Sequence, residues 1–456
     1  MKYIKEPSKK LPVILNREVV VAGAGPSGII AAISSAKTGA KTILIERYAS
    51  LGGNLLIGLP FLGMLDQQGK QIVKGIPEDL FSRLRRAGGA DKHRSCPFHV
   101  SYTIFSPEIL QKVVLEMLEE AGVEILLHTF VSDVLTINNR ITHLIVESKS
   151  GRQAIAGAQF IDCTGDADLA FHSGVPYELG SPQGNLQPPT LMFWMRDVEI
   201  QMLVDYLIKH PELYKEFKFS PDHFKNNPEQ FVMVGLTSLV AKMTKHNPGI
   251  LKLDRAIVIT SLRPNEVVIN MARINRFKGA DNIELTRAEI EGRKQIPVIT
   301  EFFKKFVPGF ENATVSKIAP FIGLRETRRI IGEYILTGED IIECTTFDDV
   351  IGLSSYFVDI HHSNDNGFTY KFPEKAYQLP FRMIVPKTID NLLIPGRSAS
   401  GNREANAATR VMAPCMVMGH AAGAAAALSV LNNTSPRHLD VSLLQKCLKS
   451  QGAHLG

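Results

Sequence analysis

The residues best suited to chemistry at the start of the chain are Gly23, Gly25 and Gly28, in G-x-G-x-x-G spacing, with Glu46 closing the next apolar run. Each has its own task in holding a dinucleotide. Gly23 allows a tight turn, Gly25 lets a pyrophosphate approach the backbone, and Gly28 lets a helix pack close to a strand. The N–H groups that open such a helix are unpaired and carry partial positive charge, which suits phosphate oxygens. Glu46 stands where a carboxylate accepts a hydrogen bond from an adenosine ribose hydroxyl. Farther along, His361 and His362 in SYFVDIHHSNDNG are the candidates for moving a proton near neutral pH. Arg325, Arg328 and Arg329 in GLRETRRIIGEY could orient a carboxylate or carbonyl, or pair structurally with Glu326 or Glu333. If that segment is a strand, Arg325 and Arg329 share one face and Arg328 takes the other. Cys163 and Cys415 read as small packing residues rather than nucleophiles.

These side chains need elements to position them. Residues 19–22 read as a strand buried on both faces, the alanine-rich run after Gly28 as a helix ending at Thr38-Gly39, and residues 42–45 as a second strand. Strand, glycine turn, helix, strand and terminal acid in that order point to a dinucleotide site far more firmly than the glycines alone. Ser106 with Pro107 predicts a helix that Gly122 closes. Strands follow at residues 123–128, 141–148 and 154–162, the first two joined through Asn138-Asn139, and the last runs into Cys163-Thr164-Gly165. From Gly174 to Lys387 proline and aromatic residues become commoner, residues 190–195 and 267–272 read as strands of a separate sheet, and Thr286 with Glu289 predicts the capped start of a helix to residue 307. Near the C-terminus residues 391–395 form a strand leading to Gly396-Arg397, and Met412-Ala413-Pro414 opens another alanine-rich helix. That second helix start is a second anion-stabilising element.

Composition narrows the function classes. With 456 residues, 45% hydrophobic and 21% charged, the chain is expected to be a soluble globular protein of more than one domain. A formal charge of +5 spread over this length gives no nucleic-acid footprint. The five cysteines are far apart with no C-x-x-C, which argues against a disulfide scaffold, a zinc knuckle or an iron–sulfur site; no metal is expected and a reducing cytoplasm is the simplest setting. Residues 1–16 do not read as a signal peptide, and residues 411–431 read as a buried helix rather than a membrane span.

The segments VVVAGAGPSGIIAA, IERYASLGGN, IDCTGDADLA, GLRETRRIIGEYILT, NLLIPGR and RVMAPCMVMGHAAGAAAA together resemble the FAD-dependent oxidoreductase family, from about Glu18 to Leu431. That family has a glutathione-reductase-type FAD domain and is distantly similar to the succinate dehydrogenase and fumarate reductase flavoproteins. The resemblance implies an α/β fold: a Rossmann-like FAD-binding domain of three ββα layers, discontinuous in sequence, carrying an inserted α+β substrate or cap domain. The expected division is residues 1–173 and 388–456 for the FAD domain and 174–387 for the cap.

By the same resemblance Gly23, Gly25, Pro26, Ser27 and Gly28 hold the pyrophosphate and Glu46 the adenosine ribose, with Arg47 in the cofactor set. Gly53 and Asn54 lie toward the flavin, Val131 meets the adenine through its backbone, and Thr164-Gly165 closes over it. Gly396-Arg397 lies at the ribityl chain. Met412 and Ala413 face the N1/O2 edge, where a helix dipole stabilises reduced flavin. The family commonly has Asp-Ile-His at residues 359–361, so His361 is the expected proton carrier, with Arg325 facing the substrate.

The expected activity is hydride transfer between a small organic substrate and flavin N5; the alternative is FAD used structurally or without net redox, in an isomerase or binding role. No cysteine pair and no second nucleotide fingerprint accompany these motifs, so an unidentified electron acceptor or donor is expected as partner, and a homo-oligomer is allowed.

Overall fold

The computed structural model describes residues 4–5, 7–246, 253–363 and 367–456. Strand β1 (Val13–Ala22) is solvent-facing at its start and fully buried over its last four residues, where valine and alanine sit between two neighbours. It pairs in parallel with β2 (Thr42–Ile45) on one side and with β6 (Gly151–Asp162) on the other. Ala22 is level with Ile45 and with Asp162, so all three strands stop at one edge of the sheet. The chain therefore releases Gly23, Glu46 and Cys163-Thr164 at the same place. This is the carboxyl edge of a parallel sheet, where such folds bind ligands.

Helix α1 (Pro26–Lys37) follows the first turn and packs on the late helix α5 (Met412–Leu431). A Cβ added at Gly419 would overlap the Ser27 carbonyl, and one at Gly423 the Ala31 carbonyl. Only glycine at both positions lets the two backbones touch. The contact fixes both helix starts beside the sheet edge. By length and composition α5 could cross a membrane, but 89% of its apolar window is buried inside the protein, as expected for a core helix.

The strands after α2 (Pro107–Glu120) differ from expectation. The stretch 123–128 contributes only the short β3 (Glu124–Leu126), parallel to β2. The partner across Asn138-Asn139 is instead β4 (Phe130–Ile137), paired with β5 (Arg140–Ser148). Its Phe130, Leu135 and Ile137 are 46%, 49% and 62% exposed, which hides the alternation a half-buried strand should show. Strand β5 pairs with the first half of β6, and β14 (Leu392–Leu393) pairs with Phe160 and Ile161 at the other end. The edge of β6 thus passes from an antiparallel meander to a strand returning from the far end of the chain.

A second, antiparallel sheet has the order β8-β9-β10-β7-β11, built from Val232–Gly235, Ala256–Thr260, Glu266–Asn270, Phe193–Arg196 and Thr314–Ile318. The long helix α3 runs over Asn282–Phe306. It begins a turn earlier than expected because Asp281 accepts from the Ile283 and Glu284 N–H groups, whereas Thr286 lies inside the helix and donates to the Asn282 carbonyl. The apolar cores exchange segments along the chain. Phe98 and Tyr102 pack with the second sheet, while Leu336, Leu353 and Phe381 join the core around α1 and α5.

Candidate functional site

A cleft of about 1080 Å³, partly open to solvent, lies along the carboxyl edge of β1, β2 and β6. Its walls include Gly23, Gly25, Pro26, Ser27, Glu46, Arg47, Gly53, Asn54, Val131, Thr164, Gly165, Arg397 and Met412. Gly28, Gly396 and Ala413 stand just behind them: Gly28 against the Gly23 carbonyl, Gly396 against Ser27, and Ala413 fully buried in α5. Residues from both ends of the chain therefore form one groove, as the motif reading expects.

The groove suits a phosphate-bearing cofactor. Gly25 is the N-cap of α1 and Val411 that of α5, and among the described residues no side chain caps either helix. Both starts leave N–H groups and partial positive charge for an anion. A Cβ at Gly25 would meet nothing within 4 Å, so this residue faces the open groove. Glu46 accepts from the Ala24 and Tyr48 N–H groups at 2.7 and 3.0 Å, which locks the turn and aims the carboxylate along the groove wall. Arg397 does more holding than its position suggests: it donates to the Gly165 and Leu324 carbonyls and to Asp166 Oδ1 at 2.8, 2.6 and 2.7 Å. It ties the C-terminal strand to the Thr164-Gly165 turn.

A second cavity of about 880 Å³, also partly open to solvent, shares Asn54, Leu324, Arg410 and Met412 with the groove. It lies against Val234, Ile257 and Asn270 of the second sheet and contains His361, Arg325, Asp359, Tyr356, His99, Arg255 and Arg410. His361 ends strand β12 (Val358–His361), which pairs with β13 (Phe368–Lys371). Its Nε2 lies 3.2 Å from Asp359 Oδ1, and the side-chain amide oxygen of Gln187 accepts from its backbone N–H at 3.1 Å. His362 turns elsewhere, with Nε2 3.0 Å from Thr369 Oγ1. Residues 364–366 of the same loop lie outside the described residues.

Burial pushes the His361 imidazole down to about 3; Asp359 opposes this, while Arg325 and Arg255 reinforce it. Burial alone would raise the Asp359 carboxyl, but His361, Arg410 and Arg255 around it hold it below the usual carboxylate range. The pair is therefore a neutral imidazole beside a carboxylate at neutral pH. Burial, with Arg410 second, pushes the Arg325 guanidinium down to about 9, so it keeps its charge. Arg325 donates to the Pro188 carbonyl. The Tyr356 phenol is pushed well up by burial and by Asp359, whose Oδ2 it reaches at 3.5 Å.

The other members of the arginine run separate from Arg325. Ordered strand begins only at Arg328, so Arg325 and Arg329 do not share a strand face. Arg329 pairs with the fully buried Glu326 at 2.7 Å, and Arg328 with Asp168 at 2.9 Å. Burial raises both the Cys163 and the Cys415 thiols, the latter to about 12, which keeps them protonated. Asp359, His99 and Arg255 escaped sequence reasoning. Asp359 carries a signal in its Asp-x-His spacing to His361, but Arg255 has none, because residues far apart in the chain bury it.

The family model for FAD dependent oxidoreductase matches residues 18–448. Thiamine thiazole synthase of Methanococcus maripaludis is 27% identical over 171 residues, covering 35% of this chain and 60% of that protein. The protein of the same name from Aeropyrum pernix is 29% identical over 132 residues, or 29% of this chain and 44% of that one. The chain spans about 60% or less of the length of these curated relatives. Among solved structures, a geranylgeranyl bacteriochlorophyll reductase-like protein from Thermoplasma acidophilum aligns over 97% of this chain and 85% of its own, at 14% identity and a TM-score of 0.49.

Proposed function

The chain belongs to the FAD-dependent oxidoreductase family, and from that premise we propose that it moves a hydride between a small organic substrate and its flavin. The observation that carries this reading is the adjacency of the two spaces: the groove with its two uncapped helix starts shares a wall of Asn54, Leu324, Arg410 and Met412 with a cavity holding His361, Asp359 and Arg325. When bound, FAD supplies the hydride acceptor or donor at flavin N5. The start of α1 and Gly25 would hold its pyrophosphate, Glu46 the adenosine ribose, and the start of α5 at Met412 the negative edge of the ring.

The chain's own residues supply positioning and proton handling. Hydride transfer from an alcohol or amine leaves a proton to be taken up. His361 Nε2 stands 3.2 Å from Asp359 Oδ1, close enough for the carboxylate's charge to act on the ring although Oδ1 has no hydrogen-bond partner among the described residues; with the proton on Nε2, Nδ1 is the basic atom. Asp359 fixes the ring and stabilises the imidazolium once Nδ1 is protonated. Arg325 adds a fixed positive charge for a carbonyl or carboxylate oxygen. A separate electron acceptor or donor completes the cycle, and the well-separated cysteines suit a reducing cytoplasm.

The test is spectroscopic. Protein purified with FAD should keep the visible absorption of oxidised flavin through gel filtration and lose it anaerobically on adding a substrate. A protein that never retains FAD overturns the reading. One that retains FAD yet is bleached by no member of a broad panel of alcohols, amines and acids favours the reading in which FAD serves without net redox.

A further inference from the structure

One buried cation in the second cavity is held by its face and has a donor without a hydrogen bond at its edge. Arg255 immediately precedes β9, is 6% exposed and lines the cavity. Its guanidinium lies over Phe368 at 3.8 Å from the ring centroid, with Phe217 and Tyr370 at 5.4 and 5.8 Å. Its Nη1 is buried and has no hydrogen-bond partner among the described residues. The nearest acid, Asp254, stands off at 3.8 Å. Arg410 Nε, in the wall shared with the groove, is also buried without a hydrogen-bond partner among the described residues. Dry, unpaired guanidinium donors are costly, and an acceptor arriving from outside relieves that cost.

The charges point the same way. Arg255, Arg325 and Arg410 bring three positive charges, while Asp359 and Asp254 bring two negative ones. His99 and His361, pushed down by burial to about 4 and about 3, add none at neutral pH. One positive charge is left for a ligand. The rest of the wall offers the rings of Phe98, Tyr356 and Tyr370. A stacked guanidinium presents its edge as a planar fork, the geometry that matches a carboxylate.

We infer that Arg255 binds the carboxylate of a small organic acid with a flat, apolar body, and that this acid is the substrate. The second half rests on the proposed oxidoreductase reading; the binding of the acid does not.

The experiment compares acids with their neutral amides. Benzoate and phenylacetate are titrated against benzamide and phenylacetamide on the FAD-loaded protein, by calorimetry and by the shift of the flavin spectrum. At least one acid should bind about tenfold or more tightly than its amide. Arg255→Met should abolish that preference while FAD content stays at the wild-type level. Arg255→Lys, which keeps charge and loses the fork, should keep part of it. FAD content and melting temperature identify a variant that fails to fold, in which case the lysine variant decides. Acids that never outbind their amides on the wild type, or acid affinity unchanged in Arg255→Lys and Arg255→Met, overturn the inference. Wild-type protein that holds no FAD counts against the oxidoreductase reading, whereas FAD-loaded protein indifferent to acids counts against the Arg255 site alone.

Discussion

His361 Nε2 lies 3.2 Å from Asp359 Oδ1, and Arg410 reaches the other oxygen of the same carboxylate at 3.3 Å. The three groups come from β12 and the end of α4 (Arg403–Thr409), so hairpin and helix are joined through one buried charge. Arg410 is also in the wall of the cofactor groove. The orientation of His361 therefore depends on the same residue that separates the two spaces.

Replacing His361 should show its part in proton transfer. His361→Gln is expected to slow anaerobic bleaching, by the substrate that bleaches the wild type, about 10²- to 10⁴-fold. Asp359→Asn should slow it less and leave FAD content unchanged. Stopped-flow measurement of the reductive step checks both. Wild-type rates in His361→Gln would remove the residue from the mechanism.

The His361 imidazole should also report the charge of whatever fills the cavity. Burial is the main reason it titrates near pH 3, with Arg325 and Arg255 adding to the effect and Asp359 opposing it. A bound carboxylate acts in the direction of Asp359, and Arg325→Met removes an opposing cation. Either change should raise the imidazole value by about one unit or more. The measurement is a pH titration of ¹⁵N-labelled imidazole with and without benzenesulfonate, which keeps its charge near pH 3 where a carboxylate is protonated. Free and liganded proteins that titrate alike contradict it.

Two glycines should separate holding the cofactor from holding the fold. Gly25 has φ −77° and ψ −171°, which alanine accepts, and its Cβ would enter only the groove. Gly25→Ala should fold normally and bind FAD about tenfold or more weakly, a loss of about 1.4 kcal/mol. Gly419→Ala drives a Cβ into the Ser27 carbonyl. It should cost about 1–3 kcal/mol of stability through overpacking. Urea unfolding and flavin release distinguish them, and a destabilised Gly25→Ala with normal FAD affinity reverses the assignment.

The contrast between these glycines marks what was legible in the sequence. The groove could be read because each motif is local: Gly23 to Gly28 and Glu46 lie within one strand–helix–strand unit, and Met412-Ala413 opens its own helix. Register joins them, as Ala22 meets both Ile45 and Asp162, but motif order already implied it. Strand β4 was hidden because its exposed Phe130, Leu135 and Ile137 erase the period-two pattern. Thr286 misled because its spacing to Glu289 imitates a capping box, while Asp281 one turn earlier captures two N–H groups. The cavity was the least legible part. Arg255 meets Phe217 and Phe368 only through tertiary packing, and Arg325 leaves Arg329 because Glu326 pairs with the latter inside the core.

Stability should fall with acid in a window set by buried histidines. His420 on α5 is buried, with Nε2 2.8 Å from Gln451 Oε1, and burial pushes it down to about 4. Burial likewise lowers His99 and His223 to about 4 and His361 to about 3. An unfolded histidine titrates near pH 6.5, so between these values the unfolded chain takes up protons that the folded chain refuses. The stability is fully present above pH 6.5 and declines as pH falls toward 4, by up to about 1.4 kcal/mol per pH unit for each histidine. His420→Gln removes one of these groups. It should be less stable than wild type at pH 7.5, yet lose stability more gently between pH 6.5 and 5, where most carboxylates are still ionised. Urea unfolding at half-unit pH steps measures both slopes; identical slopes would mean that His420 is not held neutral in the folded state.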